Sequence, residues 1–381
     1  MQRSSIYILL LSVVGLVTLG VVMLFSTSAF AQDSHGDIYY FVKRQGIWLV
    51  IGLGSCMAGA LTDYHLWRKS WAIWFGVSAL LLALCFVPHV GMKINGSHRW
   101  INLHLAPFQP SEVAKIASIF FLGWWFSRQQ TNPGKLLHGF VIPIFCVCLL
   151  VGLIALEVDL GTSAQIGAMA LVLCYVAGAN GFLLFGLFGV GLAGLIGIAL
   201  LILERAARMT TFLHPASDKL GKGLQQWQAL IAFGSGGIEG LGLGEGRQKM
   251  LYLPYAHTDF IFPMIGEELG LRFTWLVLIG YILIILSGGL IAANAKDRFG
   301  KLLAVGIILL ISLQAAVNIG MTTSLLPNKG MPLPFISYGG SNLAVCLFMV
   351  GILVNIHRTG IPINRVPERH VVLAARSVPR I

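Results

Sequence analysis

Long apolar runs separated by short polar segments occupy almost the whole chain. Charged residues and Gly, Pro and Asn bound ten of them. They lie at residues 6–25, 44–62, 71–88, 108–127, 138–156, 162–178, 182–203, 262–290, 301–323 and 338–356. About 20 apolar residues cross the hydrocarbon core of a bilayer as a helix. The pattern therefore predicts an all-α fold, a polytopic integral membrane protein of about ten transmembrane helices.

The composition supports this class of fold. Of the 381 residues, 56% are hydrophobic and 11% are charged, and the mean hydropathy is +0.81. Soluble domains contain about 25% charged residues, so we exclude a separate large soluble domain, a disordered chain and a secreted disulfide scaffold. All six cysteines fall inside predicted spans, where a thiol packs as a small apolar group. Residues 1–381 are predicted to form a single membrane domain.

The net charge of +11 predicts the orientation in the membrane and not a nucleic-acid partner. Thirteen cations share one side of the predicted bundle with three acids. These cations are Arg3, Arg68, Lys69, Arg128, Lys135, Lys296, Arg298, Lys301, Arg358, Arg365, Arg369, Arg376 and Arg380. Cytoplasmic loops carry such an excess, so we expect both termini in the cytoplasm and a basic tail at residues 357–381. The first run is longer than a usual signal peptide core, and we expect it to stay uncleaved although Ala29-Phe30-Ala31 follows it.

One predicted loop is unusually long. Residues 204–261 lie on the outer side and contain a glycine-rich patch at 234–246. Loops of this length are commonly functional. Two further outer segments, 88–107 and 324–341, are polar enough to join the long loop in a site.

Ionisable residues inside predicted spans are the next signal, because such residues are costly in a membrane and mark functional sites. Glu112 and Lys115 stand at i and i+3, so they share a helix face and form either a structural ion pair or part of a site. Asp159 suits a helix N-cap. Glu267 and Glu268 are either first-turn acids favoured by the helix dipole or site residues.

Asp259 has two interpretations. It follows His257 and Thr258 and precedes the apolar segment Phe260–Phe262 at the outer interface. Partial desolvation there would raise its pKa and make it a working base. Alternatively, Asp259 caps the eighth span.

The glycine-rich patch is a weaker signal. Glycine lets backbone N–H groups approach an anion, and Arg247 and Lys249 follow directly, so a diphosphate cradle is one hypothesis. No strand is predicted before the patch, which argues against a nucleotide-binding loop.

Five sequence motifs resemble those of a known family and follow one another along the chain in the same order as in that family. They are Phe108–Lys115, Asp159–Thr162, Tyr252–Phe262, Gly266–Gly270 and Pro334–Ser341. The chain resembles the SEDS family (shape, elongation, division and sporulation) over nearly its whole length, and most closely the division branch. It departs from the family pattern at Glu157, Leu213, Leu224 and Asn342.

The resemblance implies a peptidoglycan glycosyltransferase that polymerises lipid II into β-1,4 glycan strands at the outer face of the bacterial cytoplasmic membrane, during septal wall synthesis. It implies that Asp259 is catalytic. The positions that it places around the central cavity are Arg99, Glu112, Lys115, Asp159, Glu267, Lys329 and Ser341. Further candidates for the cavity or for binding the substrate diphosphate are Arg247, Lys249, His257, Thr258 and Ser337.

The chemistry of glycan polymerisation agrees with these residue types. A carboxylate must take the proton of the acceptor hydroxyl, and cations must stabilise the departing diphosphate. A divalent cation, Mg²⁺ or Mn²⁺, would also suit a diphosphate, but no ligand cluster with recognisable spacing predicts its site.

Other roles stay open at the sequence level. A lipid II flippase would also use intramembrane charges, although no inverted repeat is visible. A non-catalytic division scaffold and an elongation role are further alternatives. The chain contains neither Ser-x-x-Lys nor Lys-Thr-Gly, the transpeptidase signatures. By resemblance, a class B penicillin-binding protein is the expected partner, together with other membrane proteins of division or elongation.

Overall fold

The structure is a computed structural model that describes residues 2–28, 37–94, 97–102, 107–201, 212, 214–221, 223–250 and 252–360. Four segments discussed above lie outside the described residues. They are Ala29-Phe30-Ala31, residues 202–211 of the long loop, Leu213 and the basic tail after residue 360.

The described residues are mostly helical. The helices are α1 Gln2–Ser28, α2 Tyr40–Leu61, α3 His65–Lys69, α4 Trp71–Leu84, α5 Pro110–Phe126, α6 Ile142–Leu156, α7 Leu160–Val176, α8 Gly181–Leu201, α9 Leu224–Gly236, α10 Ile261–Ala293, α11 Arg298–Thr322 and α12 Gly340–Gly360. A π-helical turn, Leu137–Val141, precedes α6, and a 3₁₀ turn, Pro215–Asp218, precedes α9. Each of the ten predicted spans coincides with a helix, and the all-α prediction is confirmed.

Five segments of the described chain are long and apolar enough to cross a membrane. They are Ser4–Ser28, Leu137–Leu156, Ile261–Ala293, Arg298–Thr322 and Gly340–Gly360. The shorter apolar helices are Trp71–Leu84, Leu160–Val176 and Gly181–Gly194. Length and composition together make this a multi-pass membrane bundle.

The bundle has an inner and an outer set of helices. Almost every residue of α5 is buried, and α11 and α12 are also largely buried. Around them, α2 packs along α12, α1 packs along α10 and α4 packs against α5. The outer helices expose large apolar side chains such as Ile73 and Phe145, as expected for helices that face lipid.

A small antiparallel sheet, which the sequence patterns did not predict, lies in the outer segment 88–107. Its strands are β1 Gly91–Ile94, β2 Ser97–Asn102 and β3 Pro107–Phe108, in the order β1-β2-β3. Runs of two to six residues are too short to give a period-2 signal between apolar helices. The sheet connects α4 to α5 and holds Arg99 in its central strand.

The prediction of one continuous helix at 262–290 is wrong at one residue. Gly270 adopts φ 75° and ψ −174° and breaks α10 near its first third. The glycine-rich loop binds the backbone groups around the break: Leu241 N and Gly242 N donate to the carbonyls of Glu267 and Glu268. Broken membrane helices persist where neighbouring protein satisfies their backbone in this way.

Candidate active site

Asp259 lies in a tight turn at the entrance to α10. Tyr255 has a left-handed φ of 60°, and its carbonyl accepts hydrogen bonds from the backbone N–H groups of Thr258 and Phe260. Phe260 occupies the cap position of α10, and no side chain caps that helix end. The N-cap interpretation of Asp259 is therefore not what the structure shows, and its carboxylate is available for another role.

The surroundings of Asp259 disfavour its charged form. Its Oδ2 lies against Gly330 so closely that a Cβ at that glycine would be 2.8 Å away. Burial raises the pKa of Asp259 from 3.8 to about 6, and the positive charge of Arg99 opposes this rise. None of the described residues donates a hydrogen bond to the carboxylate. A desolvated, unpartnered carboxylate near a cation is suited to accepting a proton.

Two polar residues of α11, which the sequence analysis missed, hold the backbone around Asp259. Asn318 Nδ2 donates to the carbonyl of Asp259 at 2.9 Å and to that of Met331 at 2.6 Å. Gln314 Nε2 donates to the carbonyl of Pro332 at 2.8 Å. Both side chains are buried. Their i, i+4 spacing inside an apolar span was the available signal, because buried polar side chains need partners.

Glu112 and Lys115 form a buried ion pair. Lys115 Nζ lies 2.8 Å from Glu112 Oε2, and the two side chains are only 2% and 3% exposed. Gln314 Oε1 accepts from Lys115 Nζ at 2.9 Å, and Asn342 Nδ2 donates to Glu112 at 3.0 Å. The pair therefore connects α5 to α11 and α12. Its partner Gln314 lies one helical turn from Asn318, which contacts the backbone of Asp259.

Asp159 caps α7, as its position predicted. Its Oδ1 accepts from Thr162 N at 3.1 Å, and its Oδ2 accepts from Thr162 Oγ1 at 2.9 Å and from Gln109 Nε2 at 3.1 Å. Because Gln109 is the cap residue of α5, Asp159 fixes the start of α7 to the start of α5.

The glycine-rich loop cradles carboxylates that belong to the chain itself. Glu267 accepts from the backbone N–H groups of Arg247 at 2.9 Å and Gln248 at 3.2 Å. Glu268 accepts from Gly244 N at 2.9 Å and pairs with Lys249 Nζ at 2.7 Å. The hypothesis of a diphosphate cradle is therefore not supported by the loop as folded, because the protein's own acids occupy its amides.

Lys249 also departs from its expected place. Its side chain is 1% exposed, and its ammonium also donates to Ser26 Oγ and to the carbonyl of Gly244. A cation enclosed in this way stabilises the packing of the loop against α1 and α10.

The remaining candidates lie close to Asp259 in the chain or pack beside the inner helices. His257 is buried, with its ring 4.3 Å from Phe41, and its carbonyl accepts from Tyr338 N. Thr258 Oγ1 donates to the carbonyl of Tyr255. Ser337 Oγ accepts from Leu333 N at 2.8 Å and so closes the turn before α12, while Ser341 is buried in the first turn of that helix.

The cations differ in how accessible they are. Arg99 and Lys329 are half-buried, and Arg247 is exposed. The Nε of Arg99 is buried and has no hydrogen-bond partner among the described residues. Glu157, at the end of α6, lies near enough to Arg99 for their charges to interact, and burial raises its pKa to about 8. The thiol of Cys85 interacts with the Glu157 carboxylate and opposes this rise.

No group of three or more His, Cys, Asp or Glu side chains that could hold a metal ion occurs among the described residues.

Comparison with known proteins assigns the chain to a family. Residues 7–360 match the model of the family described as cell cycle protein, which covers FtsW, RodA and SpoVE. The chain belongs to this family. The match includes the Asp259 turn, the Glu112–Lys115 pair and all ten predicted spans except the first residue of the first.

Curated relatives cover nearly the whole chain. A protein of Geobacter metallireducens named "probable peptidoglycan glycosyltransferase FtsW" is 39% identical over 93% of this chain and 95% of its own length. Stage V sporulation protein E of Bacillus subtilis is 40% identical over 90% of this chain and 93% of its own.

Two solved structures share the fold. A chain of a peptidoglycan synthase complex that coordinates polymerization and crosslinking has a TM-score of 0.76 and 26% identity, covering 93% of this chain and 98% of that one. The rod shape determining protein RodA of Thermus thermophilus has a TM-score of 0.68 and 26% identity, covering 92% and 95%.

Proposed function

We propose that this chain is a peptidoglycan glycosyltransferase of septal wall synthesis, with lipid II as donor and acceptor. Curated relatives named probable peptidoglycan glycosyltransferase FtsW are 38 to 40% identical over at least 90% of the chain. The observation that carries the proposal is the Asp259 carboxylate, which is desolvated, has a pKa of about 6 and lies beside Arg99.

The reaction uses Asp259 as general base. The 4-hydroxyl oxygen of the acceptor sugar attacks the anomeric carbon of the donor, and Asp259 takes the hydroxyl proton. The bond between the anomeric carbon and the diphosphate oxygen breaks, and the diphosphate leaves with the electron pair. A single displacement converts the α-linked donor into a β-1,4 product. Burial keeps the pKa of the base near the pH at which it works.

The departing diphosphate needs positive charge. Arg99 suits this role best, because it lies near Asp259 and its Nε donates no hydrogen bond to the described residues. Lys329 precedes Gly330, which contacts Asp259, so it is the second candidate. Arg247 is exposed on the long loop and is the third. Lys249 is not a candidate, because its ammonium is paired with the carboxylate of Glu268.

The remaining residues position this site. Glu112 and Lys115 hold α5, α11 and α12 together, and Asp159 fixes two helix ends beside the sheet that carries Arg99. Glu267 anchors the glycine-rich loop. His257 and Thr258 belong to the turn that leads to Asp259, Ser337 closes the turn before α12, and Ser341 is buried at the start of that helix.

The position in the cell and the partner are part of the proposal. The cation excess supports an orientation with both termini in the cytoplasm and Asp259 on the outer face of the cytoplasmic membrane. The chain lacks transpeptidase signatures, so a class B penicillin-binding protein would supply crosslinking. The solved synthase complex that combines polymerization with crosslinking contains a chain of this fold and supports such an assembly.

The test uses purified full-length protein in vesicles with fluorescent lipid II, with and without the partner. Wild type is expected to produce glycan polymer, and Asp259→Asn to insert normally and produce none. Polymer from Asp259→Asn at the wild-type rate would remove the catalytic assignment. Movement of lipid II between leaflets without polymer from wild type would favour a flippase, and neither activity would favour a scaffold.

A further inference from the structure

A cavity lies at the end of the bundle opposite to Asp259. It has a volume of about 270 Å³ and is lined by His65, Arg68, Lys69 and Trp124. Helix α4 runs from this end toward the sheet that holds Arg99, and α5 returns from the sheet. The cavity therefore lies where α3 and the last turn of α5 meet, on the side with the excess of cations.

The cavity carries excess positive charge. Arg68 and Lys69 line it, and Arg128 lies beside it with its guanidinium 4.7 Å from the centre of the Trp124 ring. Among the ion pairs of the described residues, none includes these three cations. Arg68 only reaches the carbonyl of Ser127, at 3.4 Å.

The nearby acids are already engaged. Asp63 Oδ1 accepts from the backbone N–H of His65 at 2.9 Å and lies 2.7 Å from its Nδ1. Asp297 caps α11 through Gly300 N and accepts from the hydroxyl of Tyr64. His65 Nε2 lies 3.8 Å from Asp297. The charge of Lys69 also acts on Asp63, but neither Arg68 nor Lys69 forms an ion pair with these acids, so both can contact an anion.

The cavity also adjoins surface that faces lipid. Trp124 stacks on Trp71 with ring centres 4.0 Å apart, and tryptophan rings favour the level of lipid headgroups. On the neighbouring helices, Leu66 is 49% exposed and Ile73 is 68% exposed. An anion bound here can therefore have an apolar tail that lies against α4.

We propose that this cavity binds the phosphate of an anionic phospholipid headgroup. Arg68 and Lys69 contact the phosphate, Arg128 and Trp124 form the wall, and the acyl chains lie along the exposed face of α4. Basic recesses between membrane helices on the cytoplasmic side bind such headgroups by charge and hydrogen bonding. A soluble phosphate would use the same cations but would gain nothing from the adjoining apolar surface.

The test is native mass spectrometry of purified full-length protein supplied with one phospholipid at a time. Wild type is expected to retain one phosphatidylglycerol and to retain phosphatidylcholine at least tenfold less. The double variant Arg68→Gln, Lys69→Gln is expected to lose retention about 30-fold, which corresponds to about 2 kcal/mol for two cations. The control Lys135→Gln, Lys296→Gln removes the same charge from exposed positions outside the cavity lining and is expected to bind as wild type does.

The proposal would be overturned if wild type retained the two lipids equally, or if the double variant at Arg68 and Lys69 retained phosphatidylglycerol as wild type does. It would also be overturned if the control variant lost retention of phosphatidylglycerol as much as the double variant does. A further arm adds inorganic phosphate to lipid-free protein. If phosphate raises the thermal unfolding midpoint as much as phosphatidylglycerol does, the site binds free phosphate and the lipid assignment is wrong. Glycan polymerisation by each variant, measured alongside, separates this site from that of Asp259.

Discussion

Replacing Asp259 with Asn should make the protein more stable while removing its activity. The pKa of Asp259 rises from 3.8 to about 6 on folding, so ionisation of this residue opposes the folded state. The folded state binds the proton more tightly than the unfolded state, so the stability of wild type falls as the pH rises from about 4 to about 7. Each pKa unit corresponds to 1.36 kcal/mol, so the full penalty at neutral pH is about 3 kcal/mol. Asp259 is only half-buried, and water reduces this figure to about 1 to 3 kcal/mol.

Asp159→Asn is the matched control, because it makes the same chemical change at a satisfied carboxylate. Asp159 accepts three hydrogen bonds from Thr162 and Gln109. An amide nitrogen cannot accept, so at least one buried donor loses its partner at a cost of about 1 to 3 kcal/mol. Asp259→Asn should therefore raise the thermal unfolding midpoint at pH 7.5, and Asp159→Asn should lower it. The gain from Asp259→Asn should shrink as the pH falls toward 4, where wild type is also protonated.

The same two variants separate catalysis from stability. Loss of a general base lowers the rate about 10²- to 10⁴-fold, so polymerisation of lipid II by Asp259→Asn should fall by at least 10²-fold at full protein recovery. A lower unfolding midpoint for Asp259→Asn, comparable to that of Asp159→Asn, would show that Asp259 is a structural residue. The reasoning from desolvation would then be refuted.

Three further predictions concern Asp259, its neighbour Gly330 and the buried Lys249–Glu268 pair. The kcat/KM of polymerisation by wild type, which reports the free enzyme, should rise with pH through a midpoint near 6 as Asp259 loses its proton. A flat profile of kcat/KM from pH 5 to 7 would contradict its role as base. Gly330→Ala should lower polymerisation, because its Cβ would displace Asp259, whereas Gly234→Ala has nothing within 4 Å and should leave the rate unchanged. Lys249→Met should destabilise the protein by about 3 to 5 kcal/mol by leaving Glu268 buried and unpaired, and adding Glu268→Gln should recover most of this loss in a thermal unfolding scan.

The sequence was sufficient to predict the ten long apolar helices, because twenty-residue apolar runs leave few alternatives in a membrane protein. It did not predict the short helix α3 or the helix α9 inside the long loop. It was also sufficient for the Glu112–Lys115 pair, since i, i+3 spacing on one helix decides that contact. It was insufficient for the break at Gly270, because glycine is common inside membrane helices. Only the folded loop reveals that Leu241 and Gly242 satisfy the freed carbonyls.

The glycine-rich patch shows most clearly what local sequence cannot decide. Its residue types correctly indicate that backbone amides bind an anion. The anion is Glu267 or Glu268, about 20 residues further along the chain, and spacing alone does not bring these acids back to the loop. Once Lys249 is neutralised by Glu268 and Lys115 by Glu112, Arg99 is the cation whose charge acts on Asp259.

This division of charge gives the proposed site a specific property. Arg99 lowers the pKa of Asp259, while burial raises it. A substrate diphosphate that pairs with Arg99 would offset that positive charge and would place further negative charge near the carboxylate. Both effects raise the pKa of Asp259 above its value in the free protein, so the base becomes stronger when the leaving group is in place. The same Arg99 would then stabilise the diphosphate as its bond to the sugar breaks, which links binding of the donor to activation of the acceptor.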